Sequence, residues 1–543
     1  MLPWRHPQPA LLFLSFLALP HPFVHSAERP NIVLIITDDM GFSDIGCYGG
    51  EIDTPNIDAL AKRGLKFSQF YNCGKCEPSR AALVTGHQFW THDPKVSIRR
   101  DSPNFGEILQ RAGYRTMMVG KWHCSGIPFE RGFHRHFGFM TGGCDFFVGN
   151  DTFTLDGEPW KVPQNGFYAT TAFSEHAERF IREEHAAHPD APFFMYLAYN
   201  APHSPIQAPA DQVAKYRGRY RQGWDKVRRD RFARQQELGL AGPGWRFPTR
   251  PESIPAWDTL DEPSQDFEDL RMATYAAMVD CVDQGVGRVM RTLDELGIDE
   301  NTLVIFMNDN GASPNDRVRR GKFGAPSTTW NLGVAWAHAS NTPLKYYKRT
   351  QHSGGVTTPF IASWPAGLEP DDRFEDQPLH FTDMLPTMMD LAGARYPKKF
   401  GGKLHPAIPG RSFATVLTDR VTLPSKPLHF SLFNNMAIVD QGWRLVTAYD
   451  QPWQLYDLTN DRTETNDLAA EYPERLKEML AIQRDYEARE DVRLRLKAGE
   501  REPQYAAIYR ADGRVGPGSK ESVPDAKSAL QRAKQRSKAV DIR

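Results

Sequence analysis

Net charge and cysteine are what this sequence has least of. Sixty-six Lys and Arg face 67 Asp and Glu, a formal charge of −1. No global field would draw the chain to nucleic acid or an anionic membrane, so any anion must be held by a local cluster of cations. Six cysteines (Cys47, Cys73, Cys76, Cys124, Cys144, Cys281) in 543 residues are too few for a disulfide scaffold, and a chain this long can build a core without staples. They leave room for one or two bridges whose pairing spacing does not reveal. Internal repeats are absent, and beyond the first twenty residues no apolar run is long enough to span a bilayer. The one early run, ALLFLSFLALP after Arg5, has the length of a signal-peptide core. With small residues at Ser26 and Ala27, it predicts a leader over 1–27 and an exported protein, periplasmic or secreted, starting near Glu28.

What is present is the composition of a globular protein, 40% hydrophobic and 24% charged. Five short apolar segments without polar alternation, NIVLIIT (31–37), YRTMMVG (114–120), PFFMYLAYN (192–200), TLVIFMN (302–308) and PFIASWP (359–365), read as strands buried on both faces. Helical patterns lie between them: NIDALAKRG, FGEILQRAG and a long one closing at Gly297. The alternation predicts an α/β fold, a mainly parallel central sheet sandwiched by helices over 28–400. An Arg-, Trp- and Pro-rich stretch at about 215–269 reads as an insertion carrying a solvated basic helix. From 401 to 490 the texture becomes AIVDQG, WRLVTAYD and WQLYDLTND followed by a helix, a smaller antiparallel sheet plus helix. Residues 491–543 read as a polar tail.

In an open parallel sheet, ligands bind outside the carboxyl ends of the strands. Here those ends deliver Asp38 and Asp39, then Lys121 and His123 in GKWH, His203 in APHSP, and Asp309 and Asn310 in NDNG. Each alone has a plain structural reading as a cap, loop or turn residue. Together they imply a site. Asp38, Asp39 and Asp309 could share a desolvated pocket only with a cation present or with raised pKa values. An all-oxygen set completed by Asn310 suits Ca²⁺ or Mg²⁺ better than Zn²⁺.

The stretch YNCGKCEPSRAALVTG (71–86) holds a CxxC that would read as a redox pair but continues as C-x-P-x-R from Cys76 through Pro78 to Arg80. In this motif the chain resembles the type I sulfatases of the alkaline phosphatase superfamily. The resemblance runs from RPNIVLIITDDMG through GKWH, RGFHRHFG, APHSP and NTLVIFMNDNG to HSGGVTTPFIASWP, HFTDMLPT and WQLYDLTND, and is closest in texture to larger bacterial arylsulfatase-like members. It implies that a maturation enzyme converts Cys76 to Cα-formylglycine. The hydrated aldehyde would attack the sulfur of a sulfated carbohydrate or aryl sulfate beside a Ca²⁺ (ahead of Mg²⁺) held by Asp38, Asp39, Asp309, Asn310 and residue 76. Arg80 and Lys121 would hold the nucleophile, His203 and a lysine the sulfate and leaving oxygen, and His123 the proton that triggers release. The family's lysine lies six residues before the paired glycines, which selects Lys348 in KRTQHSGG, with Lys345 as alternative. The chain departs from the pattern at Glu77, where a small residue is usual, and at Ser353, where glutamate is usual. Two other readings stay open: a phosphonate or phosphate monoester hydrolase of the same superfamily, and a silent sulfated-glycan binder.

Overall fold

The computed structural model describes residues 29–88, 102–316, 323–432, 435–448 and 451–489; the expected leader and the polar tail lie outside them. Seven strands make the body of an eleven-stranded sheet: β1 (Asn31–Thr37), β2 (Leu65–Tyr71), β3 (Arg115–Lys121), β4 (Arg135–Phe139), β5 (Phe193–Ala198), β6 (Thr302–Asn308) and β7 (Thr357–Ser363). Their order is β2-β7-β6-β1-β5-β3-β4, with short pieces on the edges. The run β6-β1-β5-β3-β4 is parallel throughout, whereas β7 is antiparallel to both β6 and β2.

The unbroken apolar strands follow from having a core on each side. Val33, Ile35, Met117, Val119, Met195, Leu197 and Phe306 face one core, and their neighbours Ile32, Leu34, Ile36, Met118, Phe194, Tyr196, Ile305 and Met307 face the other. Alternation along each strand therefore switches cores without switching polarity. The first core is covered by α1 (Pro55–Lys62), α3 (Ala169–Ala187) and α5 (Glu262–Glu295); the second includes α2 (Cys76–Thr85). No helix among the described residues is long and apolar enough to cross a membrane.

Two expectations are corrected. The insertion's helix, α4 (Trp224–Glu237), is not a solvated basic rod: Arg231 is wholly buried and Arg228 nearly so. Arg231 forks onto Glu51 at 2.7 and 2.8 Å and reaches Asp44 at 2.7 Å, the paired burial a guanidinium requires. The excursion also ends sooner than 269, because Asp261 accepts a hydrogen bond from the Ser264 amide and caps α5 there.

Near the C-terminus a meander of β8 (Leu428–Leu432), β9 (Asn435–Asp440), β10 (Trp443–Thr447) and β11 (Gln454–Asp457) pairs antiparallel. One face packs Phe430, Val439 and Val446 on Tyr71 and Val356 of the large domain. The other packs Ile438, Leu445 and Leu455 on Met479 of α6 (Pro473–Arg489). The segment before the meander, grouped with it on texture, inserts Phe413, Val416 and Leu417 into the large domain's second core. Phe413 meets the rings of Phe67, Phe70 and Phe360 at 6.4, 5.7 and 5.9 Å. Phe413→Ala should therefore destabilise the large domain by about 3–5 kcal/mol in urea unfolding. Leu404→Ala, at a side chain 75% exposed, should stay within about 0.5 kcal/mol.

Candidate active site

Four adjacent parallel strands, β6-β1-β5-β3, end on the same edge of the sheet, and the polar residues gather there. Asp38 and Asp39 follow β1, Lys121 closes β3 with His123 two residues on, His203 follows β5, and Asp309 and Asn310 follow β6. Asn308, the last residue of β6, ties this edge together: its Oδ1 accepts from Thr37 Oγ1 at 3.0 Å and the Met40 amide at 3.1 Å, and its Nδ2 donates to the Met40 carbonyl at 2.7 Å.

Cys76 enters from the second core as the first residue of α2. Gly74, at φ 74°, makes the turn before it, and a Cβ there would lie 2.9 Å from Gln351 Nε2 and 3.0 Å from the Thr350 carbonyl. The bare backbone thus lets the 345–355 loop cross the helix start, with Arg349 N donating to Gly74 O at 2.6 Å. The middle of CGKC serves a crossing of chains, and none of the six cysteines, all among the described residues, is in a disulfide.

Around Cys76 three buried ion pairs interlock. Lys121 Nζ lies 2.5 Å from Asp38 Oδ2, Lys348 Nζ 2.5 Å from Asp39 Oδ1, and Arg80 Nε 2.8 Å from Asp309 Oδ2. Arg80 also donates to the carbonyls of Lys121 at 3.1 Å and Tyr199 at 3.4 Å, so it is spent on holding strand ends together. Lys348 Nζ is 4.0 Å from Cys76 Sγ. Lys345 points away, to Tyr456 Oη at 2.8 Å and the Glu464 carbonyl at 3.2 Å. Of the two candidate lysines, only Lys348 reaches the cluster.

His203 is the most open of these groups, its side chain 22% exposed. Nδ1 donates to the Ser204 carbonyl at 2.6 Å, which turns Nε2 inward, 3.6 Å from Asp39 Oδ2. His123 is held at φ 49° with Nδ1 buried and unpartnered. Burial, with Lys121, Lys75 and Arg80 nearby, keeps its pKa well below the usual value, so the ring is neutral.

The electrostatics single out one thiol. Burial alone would raise the Cys76 pKa, but Lys121 and Lys348 bring it down to about 7. Burial raises the other five, Cys73 and Cys281 to about 12 each and Cys47, Cys124 and Cys144 upward as well. Burial also opposes charge on Asp38, yet Lys121 foremost, with His203, Arg80 and Lys348, holds that carboxyl well below its normal range. Burial and Asp38 push Asp309 upward despite Arg80.

Two oxygens in this cluster, Asp38 Oδ1 and Asn310 Oδ1, are buried with no hydrogen-bond donor. Orphaned buried acceptors carry a full desolvation penalty; a cation removes it. Asp38, Asp309 and Cys76 offer ligand atoms within 4.8 Å of one another, as do Asp38, Asp39 and His203. With Asn310 Nδ2 fixed on Asp39 Oδ1 at 2.7 Å, the residues present fit a hard divalent metal.

The family model for sulfatases matches residues 30–394. The chain belongs to the sulfatase family. It is a type I sulfatase of the alkaline phosphatase superfamily and a sulfuric ester hydrolase. A second model, that of the N-sulphoglucosamine sulphohydrolase C-terminal region, matches 344–486 of this sulfatase. It is 33% identical over 418 residues to an arylsulfatase of Klebsiella aerogenes, covering 67% of this chain and 87% of the relative. An N-acetylglucosamine-6-O-sulfatase of Bacteroides thetaiotaomicron is 24% identical over 577 aligned positions, covering 93% of each. Among solved structures, that of Ps i-CgsB in complex with k-i-k-neocarrahexaose superposes with TM-score 0.63 at 25% identity, covering 89% of this chain and 98% of that one.

Some of the sulfatase's site was not visible in sequence. Gly142 and Gly143 follow β4, and a Cβ on them would meet the His123 ring at 3.0 Å and the His203 ring at 3.4 Å. RHFGF is too short and polar to announce the strand that puts them there. Glu464, from beyond the meander, accepts from the Ser353 amide at 3.1 Å and hydroxyl at 2.9 Å. A distant carboxylate thus braces the start of the paired-glycine turn where sequence comparison leads one to expect a local glutamate. The depressed thiol generates a direct test. In unmatured, EDTA-treated protein, thiolate absorbance lost in Cys76→Ala should titrate near pH 7. Lys348→Ala should shift that titration upward, since the cation favours the thiolate, while Lys345→Ala should leave it in place.

Proposed function

We propose that this sulfatase hydrolyses sulfate monoesters, of a carbohydrate or an aryl alcohol, with Cα-formylglycine made from Cys76 and a Ca²⁺ ion held by Asp38, Asp39, Asp309 and Asn310. The observation that carries the reading is the placement of Cys76, in its C-x-P-x-R frame, at the head of a buried helix beside the acidic cluster with its two unpartnered oxygens. When bound, the ion and the hydrated aldehyde would supply an activated oxygen nucleophile and positive charge for the ester's oxygens.

This chain's residues do the rest. Lys348, beside Cys76, binds a sulfate oxygen and brings charge to the transition state. Lys121 orients Asp38 and faces residue 76. Arg80 keeps Asp309 in position. His203 stands at the open side and delivers a proton to the leaving oxygen through Nε2, its other nitrogen being committed to Ser204. His123, uncharged and with a bare Nδ1, accepts the proton when sulfate is released. The α2 N-terminus adds a favourable dipole for an anion. Relatives named as an N-acetylglucosamine-6-O-sulfatase and crystallised with a neocarrahexaose support a carbohydrate ester. The early apolar run supports export, and the CEPSR sequence supports a formylglycine-generating enzyme as partner.

Coexpressed with such an enzyme, the peptide carrying residue 76 should be about 18 Da lighter than its thiol form, the change from CH₂SH to CHO. Aryl sulfate turnover should rise in proportion to the converted fraction. Full activity in protein bearing only cysteine would refute the mechanism, and conversion without turnover of any sulfate ester would favour a binding role.

A further inference from the structure

The turn carrying Asp38 and Asp39 is not held by its own sequence alone. Asp39 sits at φ 62°, a left-handed conformation that a non-glycine residue keeps only when its surroundings enforce it. Asn308 holds Met40 and Asp309 meets the Asp39 amide from the adjacent strand end, and further contacts come from two distant segments. Tyr275 of α5 brings Oη within 3.3 Å of the Asp39 carbonyl oxygen and donates to Asp44 Oδ2 at 2.7 Å. The Gly41 amide, in the middle of the turn, donates to Asp44 Oδ2 at 2.7 Å and lies 3.2 Å from Tyr275 Oη. On its other oxygen Asp44 accepts from Arg231 of the inserted helix at 2.7 Å, and Arg231 is itself locked by its fork onto Glu51. Asp44, Arg231 and Tyr275 are all buried, so no water can take over a lost bond. Asp44 is therefore a hub: one carboxylate fixes the turn backbone, the α5 hydroxyl and the insertion's guanidinium at once.

We propose that Arg231, Asp44 and Tyr275 form a positioning relay through which the basic insertion holds the Asp38–Asp39 turn in the geometry that binds a hard divalent cation. This rests on the reading that Asp38, Asp39, Asp309 and Asn310 take such an ion. None of the three relay residues touches the ion or the ester; they act through the backbone of residues 39–41. Outer groups that orient metal ligands typically govern affinity by 10- to 100-fold, and the Tyr275 hydroxyl is one atom whose removal leaves the ring packed.

A second buried tyrosine supplies the control. Tyr48 Oη donates to the carbonyls of Phe67 at 2.7 Å or Phe360 at 2.9 Å and accepts from the Phe360 amide at 3.0 Å, bridging β2 and β7 rather than the turn. Full-length protein, stripped with EDTA and dialysed, is titrated calorimetrically with Ca²⁺ as wild type, Tyr275→Phe, Tyr48→Phe and Asp309→Ala, with metal-free unfolding temperatures measured alongside. Tyr275→Phe should weaken Ca²⁺ binding about 10- to 100-fold, while Tyr48→Phe keeps the wild-type Kd, the two variants losing similar thermal stability. Arg231→Lys, which keeps the charge but loses the fork, should weaken Ca²⁺ in the same direction and serves if Tyr275→Phe does not fold. Unchanged affinity in both relay variants, or equal weakening in Tyr48→Phe, overturns the relay while leaving the cation site standing. Absence of saturable Ca²⁺ binding in wild type, or a wild-type Kd in Asp309→Ala, overturns the cation reading and the relay with it.

Discussion

Three carboxylates and three basic side chains, all buried, meet around one cysteine, and the site depends on how they pair. Asp38 takes Lys121, Asp39 takes Lys348, and Asp309 takes Arg80. Each pair joins parts of the chain far apart in sequence: β1 to β3, β1 to the paired-glycine loop, and β6 to the cysteine helix. Buried ion pairs add little net stability but are costly to break, because the survivor is left charged and unpaired. Their use here is geometric. They fix where strand ends, loop and helix stand relative to one another, and they let several charges share a space without water.

The pairing also sets the charge balance. With every carboxylate matched by a cation, the cluster by itself offers no surplus positive charge to an anionic ester. Within the proposed function that surplus comes from a bound divalent ion together with the proton His203 delivers, and the two donor-less oxygens, Asp38 Oδ1 and Asn310 Oδ1, are the atoms that would meet the ion. The same cations explain why Cys76 alone of six cysteines has a depressed pKa. The other thiols feel burial without enough nearby positive charge to offset it.

Much of this was legible in the sequence because strand ends are legible. A seven-residue apolar run announces a strand with a core on both faces, and the polar residue that stops it must lie at an edge; that reasoning located Asp38, Asp39, Lys121, His203, Asp309 and Asn310. It could not give the direction of PFIASWP, since an apolar run reads alike in a parallel or an antiparallel neighbour. It missed β2, LKFSQFY, because Lys66, Ser68 and Gln69 look solvated. All three are buried, with Lys66 over the Phe374 ring, Ser68 on the Glu375 carbonyl and Gln69 on the Asp376 carbonyl. The insertion deceived for the same reason: WDKVRRDRFARQQE has no apolar face, and its buried arginines make sense only once Asp44 and Glu51 stand opposite Arg231, and the Pro248 carbonyl and Phe247 ring opposite Arg228. Lys348 came from motif spacing, and Asp44 and Tyr275 had no signal, because they act on backbone atoms that every residue shares.

The most direct test of the account is the position of the ion itself. Crystals of the mature protein grown with Mn²⁺ in place of Ca²⁺ would give an anomalous peak that needs no interpretation of side-chain density. The account predicts one peak, in contact with both Asp38 Oδ1 and Asn310 Oδ1, flanked by Asp39, Asp309 and residue 76. Two peaks, a peak centred on the histidines, or those two oxygens hydrogen-bonded to water with no metal near them would contradict it.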